Sequence, residues 1–124
     1  MNKKGFMKNV SGEELYFTMG KYTNNDRLYI GLETVDEQYC DITINLPEAE
    51  TPSQESVFLS NDIPQEVHDK LIKEGMISDV LWQEQYNMGT YDMVQIFPES
   101  FKEYLTEQEC EENILKDKEW DLDV

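Results

Sequence analysis

The sequence predicts an α+β fold, a mainly antiparallel β-sheet built of hairpins and packed by one or two α-helices. Three observations carry that expectation. Residues 27–33 and 39–46 alternate apolar and polar side chains on either side of a short acidic turn. Residues 80–86 and 91–97 repeat the arrangement around Asn87, Met88, Gly89 and Thr90. Between the hairpins lies a segment of helical period bounded by capping residues and a glycine.

Taken in order, residues 14–19 form the expected first strand, with Leu15, Tyr16 and Phe17 supplying β-favouring side chains and Gly20 ending it. A loop over 22–26 follows. In 27–33, Leu28, Ile30 and Leu32 share one face while Tyr29 and Gly31 take the other, and Cys40, Ile42, Ile44 and Leu46 repeat the pattern in 39–46. With Asp36 and Glu37 in the turn, these two runs are expected to pair with one face buried and one wet. Pro47 removes a backbone donor and stops the ladder, and residues 48–56, with Pro52 among them, have the composition of a surface loop. A short strand at 57–59 leads to the helix. Ser60, Asn61 or Asp62 stands where a cap is wanted, Pro64 suits the first turn, and Gly75 suits a left-handed close. Ile63, Val67 and Leu71 recur every four residues, an apolar stripe fit to lie across the sheet.

The second hairpin contributes Trp82 and Phe97 as expected core pieces. Pro98 opens an expected last helix from 99 to about 115, directing Phe101, Tyr104, Leu105 and Cys110 or Ile114 toward the body. The organisation is therefore a polar segment 1–13, an α+β domain 14–98 and an acidic C-terminal helix and tail 99–124.

Composition narrows the function. At 39% hydrophobic and 11% aromatic residues, the chain has too much apolar material for an acidic disordered protein. Cys40 and Cys110 lie far apart and form no CxxC pair, so neither a disulfide framework nor a zinc site is indicated and a reducing cytosol suits the chain. No apolar run is long enough for a signal peptide or a membrane span. The charge is the main signal: 27 Asp and Glu against 10 Lys and Arg give a formal net charge of -17. Such a surface repels nucleic acid and anionic membranes and attracts proteins with basic channels, so no direct DNA binding and no membrane association is expected.

The carboxyl end is densest in charge. If residues 99–115 are one helix, Glu99, Glu103, Glu107 and Glu111 stack at four-residue spacing, about 6 Å apart along the axis. A row of that kind suits docking into a basic groove, and it equally suits a solvated face that keeps an acidic protein dispersed. The candidate partner-binding residues are Glu99, Glu103, Glu107, Glu109, Glu111, Glu112, Asp117, Glu119, Trp120 and Asp121.

Catalytic residues, cofactors and metals are not expected. His68, the one histidine, stands alone beside Asp69 and near Glu66, with no advertised nucleophile. Cys40 alternates with Ile42 and Ile44 as a small hydrophobe, and the thiolate of Cys110 is disfavoured by its acidic neighbours. The carboxylates match no calcium-loop spacing, which leaves metal-assisted hydrolysis the least supported class. The seven tyrosines flank a sheet or mark a protein-binding face.

Arg27-Leu28-Tyr29-Ile30-Gly31-Leu32, followed by the run from Tyr39 to Pro47 that ends Thr43-Ile44-Asn45-Leu46-Pro47, resembles a domain-of-unknown-function family of small acidic proteins carried on plasmids and integrative elements of Firmicutes. The likeness covers roughly residues 14–98, and its motif is structural, so no active-site residue follows from it. The acidic extension after Pro98 departs from the shorter members. Mobile-element cargo implies the cytoplasm of a bacterial host and a setting in which inhibitors of host defence are common. In size, acidity and lack of enzyme motifs the chain is similar to anti-CRISPR proteins. That implies a DNA-mimicking inhibitor of a type II (Cas9) effector, whose guide–target channel is positively charged. The alternative is a non-enzymatic accessory or regulatory protein of a mobile element that binds another protein.

Overall fold

A computed structural model of the chain describes residues 3–115. The described residues fold as α+β, with two four-stranded antiparallel sheets. The first has the order β1 (Met7–Lys8), β2 (Glu14–Lys21), β3 (Leu28–Glu33), β4 (Gln38–Asp41). The second has the order β5 (Thr43–Ile44), β6 (Ser56–Leu59), β8 (Gly89–Gln95), β7 (Trp82–Tyr86). One helix, α1 (Gln65–Lys73), connects β6 to the β7–β8 hairpin, and short helical turns end the described chain.

Alternation builds the first sheet as expected. Leu15, Phe17 and Met19 of β2 and Leu28, Ile30 and Leu32 of β3 face the core, and β2 runs two residues further than its apolar pattern, through Gly20 to Lys21 opposite Leu28. The single strand expected over 39–46 is instead two. β4 pairs with β3 and β5 pairs with β6, so the chain changes sheet at Ile42. That residue belongs to both ladders: its N–H donates to Ile30 O at 2.9 Å, and its carbonyl accepts from Ser60 N at 2.9 Å. Thr43 supports the crossover by accepting the Ile30 amide on Oγ1 at 3.1 Å. Period-2 patterning survives such a change of partner, because each half still needs one buried face.

The helix occupies the predicted place, with Val67 and Leu71 buried and Ile63 packed beside them. Its start differs from expectation. Pro64 itself is the N-cap and no side chain caps the helix. Ser60 accepts from Asp62 N at 3.2 Å in the preceding turn and so lies too early to cap. Gly75 closes the helix at φ 71°, where a side chain would be strained.

One core joins both sheets. It takes Phe17, Ile30 and Leu32 from the first, Val57, Leu59, Val94 and Ile96 from the second side, and Val67 and Leu71 from α1. The flanks pack on it as well. Phe6 lies 4.5 Å from Phe17, ring to ring, and edge-on to Tyr104, while Phe101, Tyr104 and Ile114 are buried. Residues 1–13 and 99–124 were set apart by polarity in the sequence, but the described parts of both share the core of residues 14–98. A second, smaller cluster of Leu46, Ala49, Phe58 and Met93 covers the opposite face of the second sheet.

Trp82 and Phe97 are not core residues. Trp82 is 60% exposed and Phe97 41% exposed. Strand parity explains both. Phe97 follows the inward Ile96, and Trp82 shares its face with Glu84 and Tyr86, away from Val94.

Candidate protein-docking site

Segment 98–115 is not one helix. Pro98–Tyr104 is a 3₁₀ turn, Leu105 is extended, Glu107–Cys110 forms the short helix α2, and Glu111–Leu115 continues it as a π turn. Two local causes account for the break. Phe101 and Tyr104, three residues apart, eclipse each other in a 3₁₀ turn, which buries both. Thr106 then begins a new helix: its Oγ1 accepts from Glu109 N at 3.1 Å, and Glu109 Oε1 accepts from Thr106 N at 2.9 Å, a reciprocal capping box.

The expected row of Glu99, Glu103, Glu107 and Glu111 is therefore divided, two on the 3₁₀ turn and two beyond the break. The carboxylates also differ in duty. Glu109 is a fold residue: it pairs with Lys3 at 2.9 Å and accepts from Met19 N at 3.0 Å, with its side chain 16% exposed. Burial pushes its carboxyl up, but the Met19 and Thr106 amides and the Lys3 ammonium outweigh that and hold it below its ordinary value. Glu103 meets Lys4 at 2.9 Å on the surface, Glu99 lies 3.9 Å from Lys102, and Glu112 accepts from Gln108 Nε2 at 3.1 Å. Glu107 and Glu111 are exposed. Asp117, Glu119, Trp120 and Asp121 lie outside the described residues.

A second acidic surface was missed by the sequence reading. The small cluster on the outer face of the second sheet opens, beside β7, into a groove of about 720 Å³. Its apolar walls are Leu81, Trp82, Met93, Ala49 and Pro52, and Glu48, Glu50 and Glu84 rim it. Trp82 Nε1 donates to Glu84 Oε1 at 3.1 Å, which fixes a carboxylate beside the exposed indole. Arg27 secures the far wall: its guanidinium donates to Leu46 O at 2.9 Å and to Ala49 O. Two signals in the sequence pointed here. Val80, Leu81 and Trp82 are three consecutive large apolar residues, which an alternating strand cannot bury together, and the parity that joins Trp82 to Glu84 marks a wet face.

Reactive groups elsewhere are muted. Burial, helped by Asp41, pushes the Cys40 thiol up to about 11, and burial also raises that of Cys110. His68 is half-buried on α1. Tyr22 and Tyr29 meet edge to face at 5.6 Å, and Tyr29 donates to Asp41 at 2.9 Å, its hydroxyl held protonated by burial and that carboxylate. Among the described residues, no three His, Cys, Asp or Glu side chains converge as a metal site, and no helix is long and apolar enough to cross a membrane.

No protein-family model, curated protein or solved structure matches the chain.

Proposed function

We propose that this chain is an acidic protein-binding inhibitor, not an enzyme, that occupies the basic nucleic-acid-binding surface of a nucleic-acid enzyme in the bacterial cytoplasm. The likeness to anti-CRISPR proteins in size, acidity and lack of enzyme motifs makes a type II CRISPR effector such as Cas9 the first partner to test. One observation carries the reading, the large excess of negative charge over the whole chain. The sequence has 27 acidic and 10 basic residues, and Lys3, Lys4, Lys70 and Lys102 each stand no more than 3.9 Å from a carboxylate oxygen of the chain itself. The field of such an excess raises the rate of encounter with a cationic cleft and opposes binding to nucleic acid directly.

The test is DNA cleavage by Cas9, with the protein added before or after guide loading. Inhibition that weakens steeply as salt rises supports the reading; unchanged cleavage at micromolar excess with no co-elution sinks it. The exposed Trp82 favours one other reading, an accessory protein of a mobile element that binds a replication or conjugation factor through an apolar contact. Binding that is indifferent to salt would select it.

A further inference from the structure

We infer that the β7 groove is the partner-docking surface, and that it takes an extended basic segment of a partner protein as an added strand. The segment would present an apolar side chain and, two residues on, a Lys or Arg. This deepens the proposed function and rests on its claim that the partner is cationic. Three features of the molecule converge on it.

First, β7 is an edge strand. Its Trp82–Tyr86 backbone pairs with β8 on one side and with no described strand on the other. Its sequence, Trp-Gln-Glu-Gln-Tyr, has no lysine or proline to block addition of a further strand. An incoming strand would satisfy the outward peptide groups, which gives affinity without sequence demand, and the groove would supply the demand.

Second, the groove face alternates in kind. Trp82 and Glu84 are two residues apart on the same face, so the neighbouring positions of an added strand meet first an indole and then a carboxylate. Leu81 and Met93 extend the apolar end, and Glu48 and Glu50 stand across it on the 48–52 loop. An apolar side chain thus has a half-built pocket, and a cation placed two residues along has a carboxylate held ready by the Trp82 indole.

Third, the charge selects the occupant. A second copy of the chain would bring Glu48, Glu50 and Glu84 against their own kind and a net charge of -17 against -17. A Lys- or Arg-bearing strand pairs with the rim instead.

The experiment uses the full chain with Trp120→Phe, which leaves Trp82 as the one indole. The probes are two peptides, Lys-Thr-Leu-Thr-Lys-Thr-Lys and its Leu→Ser form of equal charge. The expected result is a saturable blue shift of Trp82 emission with the leucine peptide, binding weaker by about tenfold for the serine peptide, and a loss of roughly two- to fivefold in affinity for each of Glu48→Gln and Glu84→Gln. Unchanged Trp82 emission, equal binding of the two peptides, or a shift that follows protein concentration and dimer mass in sedimentation each overturns the groove. The cleavage assay separates this from the function proposed above. Wild type that inhibits while Trp82→Ala inhibits equally overturns the groove and keeps the nuclease reading; peptide uptake by a wild type that leaves cleavage intact keeps the groove and sinks the nuclease reading.

Discussion

Replacing Glu109 by alanine is expected to destabilise the protein far more than the same change at Glu103, six residues away in the same acidic segment. The two carboxylates look alike in sequence, and each pairs with a lysine at 2.9 Å. Their surroundings differ. Glu103 and Lys4 have side chains 59% exposed, where water and salt screen the pair and its removal leaves nothing buried. Glu109 and Lys3 are 16% and 9% exposed. Removing Glu109 takes an acceptor from Met19 N and from Thr106 N, opens the capping box, and leaves the Lys3 ammonium with the Phe17 carbonyl at 2.7 Å. Breaking a buried pair costs about 3–5 kcal/mol and losing a cap about 1, but the contributions overlap and Glu109 keeps some water, so about 3 kcal/mol is the expected total. For a domain of this size that is a fall in Tm of roughly 10 °C. Thermal unfolding followed by circular dichroism at neutral pH reads the difference. If Glu109→Ala melts no lower than Glu103→Ala, the division between fold and surface carboxylates is mistaken.

The same carboxylate gives a pH signature. Since the folded Glu109 is held below its ordinary 4.5, its contribution is complete above that value and is lost as pH falls through the depressed one, so the Tm gap between wild type and Glu109→Gln should close in acid; a gap that widens below pH 4.5 contradicts the assignment. The hairpin turn offers a gain. Asn87 and Met88 both have positive φ, 46° and 70°, in a two-residue turn that favours Asn-Gly, and Met88 is fully exposed. Relief of the left-handed strain, about 1–2 kcal/mol, less the added freedom of glycine, about 0.5–1, predicts that Met88→Gly raises Tm by a few degrees, whereas a lower Tm would show that the side chain packs.

The sheet core was legible because alternation is a local property that burial enforces residue by residue. Leu28, Ile30, Leu32, Val67 and Leu71 all lie where their spacing put them. The divided acidic segment was less so, although Thr106-x-x-Glu109 carries its own helix-start signature inside what looked like one helix. Four-residue spacing of carboxylates says only where side chains would fall if the helix continued. It was the pull of Phe101 and Tyr104 into the core that made the first part a 3₁₀ turn.

The sequence by itself determined the class of fold, the hairpins and the helix, and the excess of negative charge, since period, punctuation and charge count are written residue by residue. Tertiary structure alone decided that Ile42 hands the chain from one sheet to the other, that Glu109 turns inward to Lys3 while Glu103 stays in water, and that Trp82 stands at an open edge beside Glu84. Those outcomes depend on which distant segment arrives alongside. Local pattern fixes which face a side chain takes, and only the packed neighbour fixes whether that face is core, wall or surface.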